Sequence, residues 1–233
     1  MAHAFVADVA TPVLDDDDRH HLERVLRLRA GEEVTVSDGR GGWRVCSWAD
    51  GGALVPVGKP EHRPAPEPAI TVAFALTKGD KPETAVQKLT EVGVDRIIPF
   101  TAGRSVARWE GERAERHLAR LRKVAREAAM QSRRAHLPVV DPVTDFATVA
   151  ALAGAVLADA GGAPPSLERP VILVGPEGGW TEQERAAGLP AVGLGGNVLR
   201  AETAAIVAGG LLAALRAGLV DHGGSLPYPG PST

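Results

Sequence analysis

Two glycine-rich segments hold the residue types best suited to gripping a small polar ligand. The first is Gly175-Pro176-Glu177-Gly178-Gly179, directly after the apolar run of residues 171–174. The second, Leu194-Gly195-Gly196-Asn197-Val198-Leu199-Arg200-Ala201-Glu202-Thr203-Ala204, leads into the most apolar stretch of the chain. Glycines let a backbone come close to a bound group, and loops at the carboxyl ends of strands are where open α/β sheets bind ligands. Neither segment is a phosphate loop, because no Gly-Lys-Ser/Thr follows. Neither has the spaced glycines and later acid of a dinucleotide fingerprint. A tight turn would account for either loop alone; the pair, with an Arg-x-Glu in the second, points to a ligand site. Other chemistries lack their residues. There is no Gly-x-Ser-x-Gly elbow, and the seven histidines show no metal-ligand spacing with a carboxylate, so no metal is expected. Cys46 is the sole cysteine. It excludes an internal disulfide and reads as a small buried apolar residue.

The elements that must position these loops follow from periodicity and breakers. Four prolines between residues 60 and 68 interrupt helix and central strand alike. They divide the chain into a domain over 1–60, a linker over 61–69, a second domain over 70–225 and a flexible tail over 226–233. The first domain reads as mainly β. A short amphipathic helix spans 20–28, with Leu22, Val25 and Leu26 on one face and Arg24 and Arg27 on the other. Strands follow at 33–37, 43–48 and 53–57. The second domain alternates strands (70–77, 95–100, 155–158, 171–174, 191–194) with helices (82–93, 112–134, 203–219). Thr181 to Glu184 forms a capping box. Such alternation predicts an α/β fold with a mostly parallel sheet.

Among the chain's 233 residues, 26 basic and 29 acidic groups leave a net charge of −3. Residues 104–134 nevertheless carry ten basic groups and four acidic ones. A patch of this kind attracts phosphates even on an acidic protein, although a solvated helix face with paired charges has the same composition. No basic start followed by an apolar run opens the chain, and the longest apolar stretch, 13 residues between Glu202 and Arg216, is shorter than the roughly 20 a membrane span needs. The expectation is a cytoplasmic protein with no membrane partner.

Read together, the two glycine loops resemble the paired signature of the SPOUT methyltransferases of the RsmE type. The resemblance extends over nearly the whole chain. His21-Leu22-x-Arg24-Val25-Leu26-Arg27 resembles that family's N-terminal PUA-like RNA-binding barrel. Lys78-Gly79-Asp80-Lys81, Gln87-Lys88 and Glu91-x-Gly93-Val94 match its first α/β unit, and Gln131-Ser132-x-Arg134 with Pro138 match the end of its basic helix. Four positions depart from the family's usual residues: Gly103, Met130, Asn197 and Ala201.

The resemblance implies a small PUA-like domain followed by an α/β domain tied in a trefoil knot, a rare exception to unknotted topology. It implies a homodimer that binds S-adenosyl-L-methionine and methylates N3 of a uridine in 16S rRNA of the small ribosomal subunit. The cofactor would be held by Leu173, Val174, Gly175, Glu177, Gly178, Leu194, Gly195, Val198, Leu199 and Ala204. Loss of the N3 proton puts negative charge on the uracil. Arg200 or Arg104 is placed to stabilise that charge, and Glu202 is a candidate proton acceptor. Arg24, Arg27, Lys78, Lys81, Arg133 and Arg134 are expected to contact RNA phosphates. Three other readings stay open from the residues: a noncatalytic RNA-binding assembly factor on the same fold, a SPOUT enzyme with another RNA target, and an α/β metabolite or nucleotide enzyme that has no phosphate motif here.

Overall fold

The computed structural model describes residues 1–220. The expected tail over 226–233, and the last five residues of the expected α/β domain, lie outside the described residues. The N-terminal part is a four-stranded sheet in the order β1-β2-β3-β4. Its strands are β1 (Ala2–Phe5), β2 (Glu33–Ser37), β3 (Gly42–Trp48) and β4 (Leu54–His62). β1 pairs parallel to β2, and the other pairs are antiparallel. The linker begins later than its prolines indicate. β4 continues through Pro56 and Pro60 because it is an edge strand, where a missing N–H costs no ladder bond, and its register shifts between Trp43 and Val45 of β3.

The helix expected over 20–28 is displaced. α1 (Asp16–His20) comes first, capped by Asp15, which accepts from the Asp18 amide at 2.7 Å. It runs into a π-helical turn, His21–Val25. Leu22 is fully buried, whereas Val25 and Leu26 are 62% and 48% exposed. They therefore do not share its apolar face.

The second part is a parallel sheet in the order β11-β9-β10-β5-β6-β7, with β8 also paired to β6. It comprises β5 (Thr71–Ala75), α2 (Lys81–Val92), β6 (Arg96–Thr101), α3 (Gly111–Gln131), β7 (Val139–Val140), β8 (Thr144–Asp145), α4 (Phe146–Ala150), β9 (Ala155–Ala163), β10 (Val171–Val174), α5 (Glu182–Arg185), β11 (Ala191–Val192) and α6 (Ala201–Arg216). Alternate residues of the central strands serve two cores, as the two-residue period of a strand requires. Val72, Ile97 and Ile172 pack against Leu89, Leu121 and Leu212 of the helices. Ala73, Ile98 and Leu173 face the opposite way, toward Trp180 and Val149. α6 lies tight on α2: a Cβ at Gly209 would stand 2.7 Å from both Leu89 Cδ2 and Val94 Cγ2.

Backbone joins the two parts where α3 ends. The Gly41 amide donates to the Ala135 carbonyl at 3.1 Å and the Leu137 amide to the Gly39 carbonyl at 3.0 Å. Arg126 of α3 donates from Nη1 to Oδ1 of the buried Asp18 at 2.8 Å and pairs with its other oxygen. Nearby, His3 stacks on Trp43 with ring centroids 4.7 Å apart. Burial lowers the His3 pKa to about 4.

Candidate functional site

The parallel strands all point their carboxyl ends the same way, and there the chain opens a cleft of about 310 Å³. One wall is the loop after β10. Apolar β10 places it: Val174 is buried, and the chain turns at once into Gly175. This wall is held from three sides. Trp180 donates from Nε1 to the Ala158 carbonyl at 3.0 Å and stacks on Phe100. Its ring lies so close to Gly175 that a Cβ there would stand 3.0 Å from Cε2, a contact tight enough that the indole would have to give way. Arg104 donates from Nη1 to the Gly178 carbonyl at 2.9 Å. The Thr181–Glu184 capping box forms as expected, and Glu184 also accepts from the Gly103 amide at 2.8 Å.

The opposite wall is the segment 193–200 between β11 and α6. Gly195, Gly196, Asn197 and Val198 are exposed, Val198 completely. The start of α6 closes the end of the cleft with Ala201 and Ala204.

Of the expected cofactor residues, Val174, Gly175, Glu177, Leu194, Gly195, Val198, Leu199 and Ala204 all line this cleft. Two do not. Leu173 points into the core beneath the sheet, fully buried, and Gly178 turns outward to meet Arg104. The sequence reading missed Asp159 and Trp180, which line the cleft as well. Asp159 follows the first residues of β9 and is held by the Arg185 guanidinium. The strand expected over 155–158 ends just before this position, although β9 itself runs on to Ala163.

A charged group sits at the cleft's end. Lys81, in the first turn of α2, donates from Nζ to Glu177 Oε1 at 2.7 Å and stands 3.7 Å from Glu202 Oε2. The hydrogen bond raises the Lys81 pKa and lowers that of Glu177, and the Arg200 charge pushes both down. Glu202 Oε2 is shut off from solvent and has no hydrogen-bond donor among the described residues. Arg200 occupies the N-cap position of α6 without a side-chain capping bond and is exposed.

The expected RNA contacts separate. Arg24, Arg27, Lys78 and Arg133 are exposed. Arg134 is not available. Helix α3 stops at Gln131, Arg133 takes a left-handed φ of 54°, and Arg134 turns inward. Its side chain is 12% exposed, donates to the carbonyls of Thr90 and Val94 at 2.9 and 2.7 Å, and pairs with Asp95. Burial lowers its pKa against the pull of Asp95. Arg216 binds the other oxygen of the same carboxylate. This network lies at the amino end of β6, away from the cleft.

A family model described as an RNA methyltransferase domain matches residues 64–213, and one described as an RNA methyltransferase PUA domain matches residues 14–47. The chain belongs to the RNA methyltransferase family. Curated members of it named ribosomal RNA small subunit methyltransferase E are close in sequence. That of Mycobacterium bovis is 37% identical, the alignment covering 88% of this chain and 87% of the relative. That of Bacillus subtilis is 30% identical, covering 87% and 90%. Among solved structures, the small subunit methyltransferase E of Neisseria gonorrhoeae, bound to S-adenosyl methionine, superposes with a TM-score of 0.77 at 29% identity, covering 92% of this chain and 98% of that one. A probable rRNA-methyltransferase from Porphyromonas gingivalis gives 0.77 at 28%, covering 94% and 100%. The fold of this RNA methyltransferase family member is accordingly the SPOUT α/β domain behind a PUA-like domain. Residues of both glycine loops line its cleft at the carboxyl ends of the strands.

Proposed function

We propose that this chain transfers a methyl group from S-adenosyl-L-methionine to N3 of a uridine in 16S rRNA of the small ribosomal subunit. One observation carries the reading. In a chain 37% identical to a small subunit methyltransferase E, both glycine loops of the family signature converge on one cleft at the carboxyl ends of parallel strands.

The residues present fit the cofactor. Val174, Leu194 and Leu199 supply apolar walls, and Asp159 and Glu177 place carboxylates beside a space meant for a cationic ligand. When bound, the sulfonium supplies an already activated methyl, so the chain's task is alignment and charge management. Arg200, exposed at the start of α6, stabilises negative charge developing on the uracil oxygens. Arg104 is tied to the Gly178 carbonyl, so it braces the loop as well as adding charge. Glu202 lies between the cleft-lining Ala201 and Ala204; its Oε2, shut off from solvent and without a donor among the described residues, accepts the uracil N3 proton once the side chain turns outward. Such an edge is reached only in an unpaired or flipped base. Arg24, Arg27, Lys78 and Arg133 supply phosphate contacts.

The working unit is a homodimer. On α6, Ile206, Val207, Gly210, Leu211 and Ala214 stay half-exposed on the side away from α2. Together with Val198 they make an apolar face that a second copy would cover. No helix of the described residues is long and apolar enough to cross a membrane.

Methyl transfer to small subunits from cells lacking the modification, followed by nucleoside mass spectrometry, tests the reading. Appearance of 3-methyluridine is the expected result. A different methylated nucleoside would keep the fold and reject the assigned atom. No methylation beside an active control enzyme would favour a noncatalytic RNA-binding factor.

A further inference from the structure

We infer that Lys81 is a positioning residue for methyl transfer, tying Glu177 of the cofactor loop to Glu202 at the start of α6 from the first turn of α2. The inference rests on the reading above, in which Glu202 turns toward the substrate.

Three elements far apart in sequence meet at this ammonium. It makes a 2.7 Å hydrogen bond to Glu177, whose residue lines the cleft. At 3.7 Å from Glu202 it attracts that carboxylate without satisfying it. Glu202 Oε2 is thus held in place by charge, shut off from solvent and without a hydrogen-bond donor among the described residues. With Arg200 close by, two cations face two carboxylates. Removing Lys81 would leave both carboxylates to one arginine, and Glu177 could swing into the space meant for the cofactor. The same geometry argues against Lys81 as a phosphate contact. Its ammonium is engaged, whereas Lys78, three residues earlier, is exposed.

The test uses the full chain with Lys81→Met, Lys81→Arg, Glu177→Gln and the double variant Lys81→Met/Glu177→Gln. Cofactor affinity is read by calorimetry with S-adenosyl methionine alone, and turnover and RNA affinity on small subunits. Lys81→Met should lower kcat about tenfold or more, since misplacement near the reacting atoms is costly. KM for the subunit and the salt dependence of RNA binding should stay unchanged. Lys81→Arg should recover most of kcat. Lys81→Met and Glu177→Gln should each weaken cofactor binding, and the double variant no more than the worse single, as for residues acting as one unit. Additive losses would overturn the inference. So would an unchanged kcat with weaker RNA binding and a salt slope reduced by about one, the mark of a lost phosphate contact. Should Lys81→Met fail to fold, the reversed pair Lys81→Glu/Glu177→Lys decides. Recovery of cofactor affinity over Lys81→Glu supports the tie, and no recovery rejects it. Because the cofactor cycle needs no turnover, it still reports on Lys81 if the wild type transfers no methyl to these subunits.

Discussion

The two ends of the parallel sheet are built to opposite specifications. At the amino end, one cluster of charge is largely buried and engaged. Asp95 accepts from the Ile70 amide and binds both Arg134 and Arg216, each 12% exposed. One helix away, the buried Asp18 is held by Arg126, itself about a third exposed. At the carboxyl end the second glycine loop is exposed, Val198 lies wholly in solvent, and a buried carboxylate oxygen has no donor among the described residues. The difference teaches where stability is concentrated and where it is given up. Binding segments come from the low-stability end of a structure because they must stay accessible.

Substitutions can break this contrast from either side. The largest effect belongs to Asp95→Ala, which strands two guanidinium groups against each other. It should cost about 3–5 kcal/mol by chemical denaturation, with cofactor affinity in the remaining folded protein unchanged. Arg200→Ala should do the reverse: turnover falls by about 10²–10³, some 2.7–4 kcal/mol in the barrier, while the melting temperature holds. If Arg200→Ala unfolds the protein instead, the cleft end is structural after all.

His3 sharpens the comparison through pH. Its folded pKa of about 4 lies below the ordinary 6.5, so the unfolded chain takes up the proton first. Its contribution to stability is full above pH 6.5 and drains away as pH falls toward 4. The total is about 3 kcal/mol at most. His3→Gln should flatten the stability profile across that window. The smallest effect is expected at Val198→Asp, with stability within about 0.5 kcal/mol of wild type but weaker self-association by sedimentation.

Much of this architecture was open to reading before any coordinates. The apolar runs 171–174 and 70–77 mark central strands because burial on both faces leaves no room for alternation. Glycines directly after the first of them mark the cleft. Thr181 and Glu184 announce their helix three residues apart. What stayed hidden depends on tertiary placement. Arg133 and Arg134 are neighbours of one type, and only a left-handed residue at the end of α3 sends one outward and the other into the core. Val25 and Leu26 fit a helical stripe by spacing, but a π-helical turn rotates them into solvent. Strand β1 is four residues long and owes its place to β2, 32 positions later. Trp180 looks like a loop residue until Phe100 and Gly175 are seen on either side of it.

The backbone seam at residues 39–41 and 135–137 sets a fixed length within the molecule. It fastens the N-terminal sheet at the far end of α3, and 21 residues of helix separate that end from the cleft end by about 30 Å. Hydrogen-bonded backbone makes this separation a strut with no hinge in it. An RNA that touches Arg24 and Arg27 and also enters the cleft of the same protomer must bring a shape that already spans the gap. If Arg24 and Arg27 hold RNA as proposed, the protein would gauge its substrate as a caliper does, by a distance set before contact.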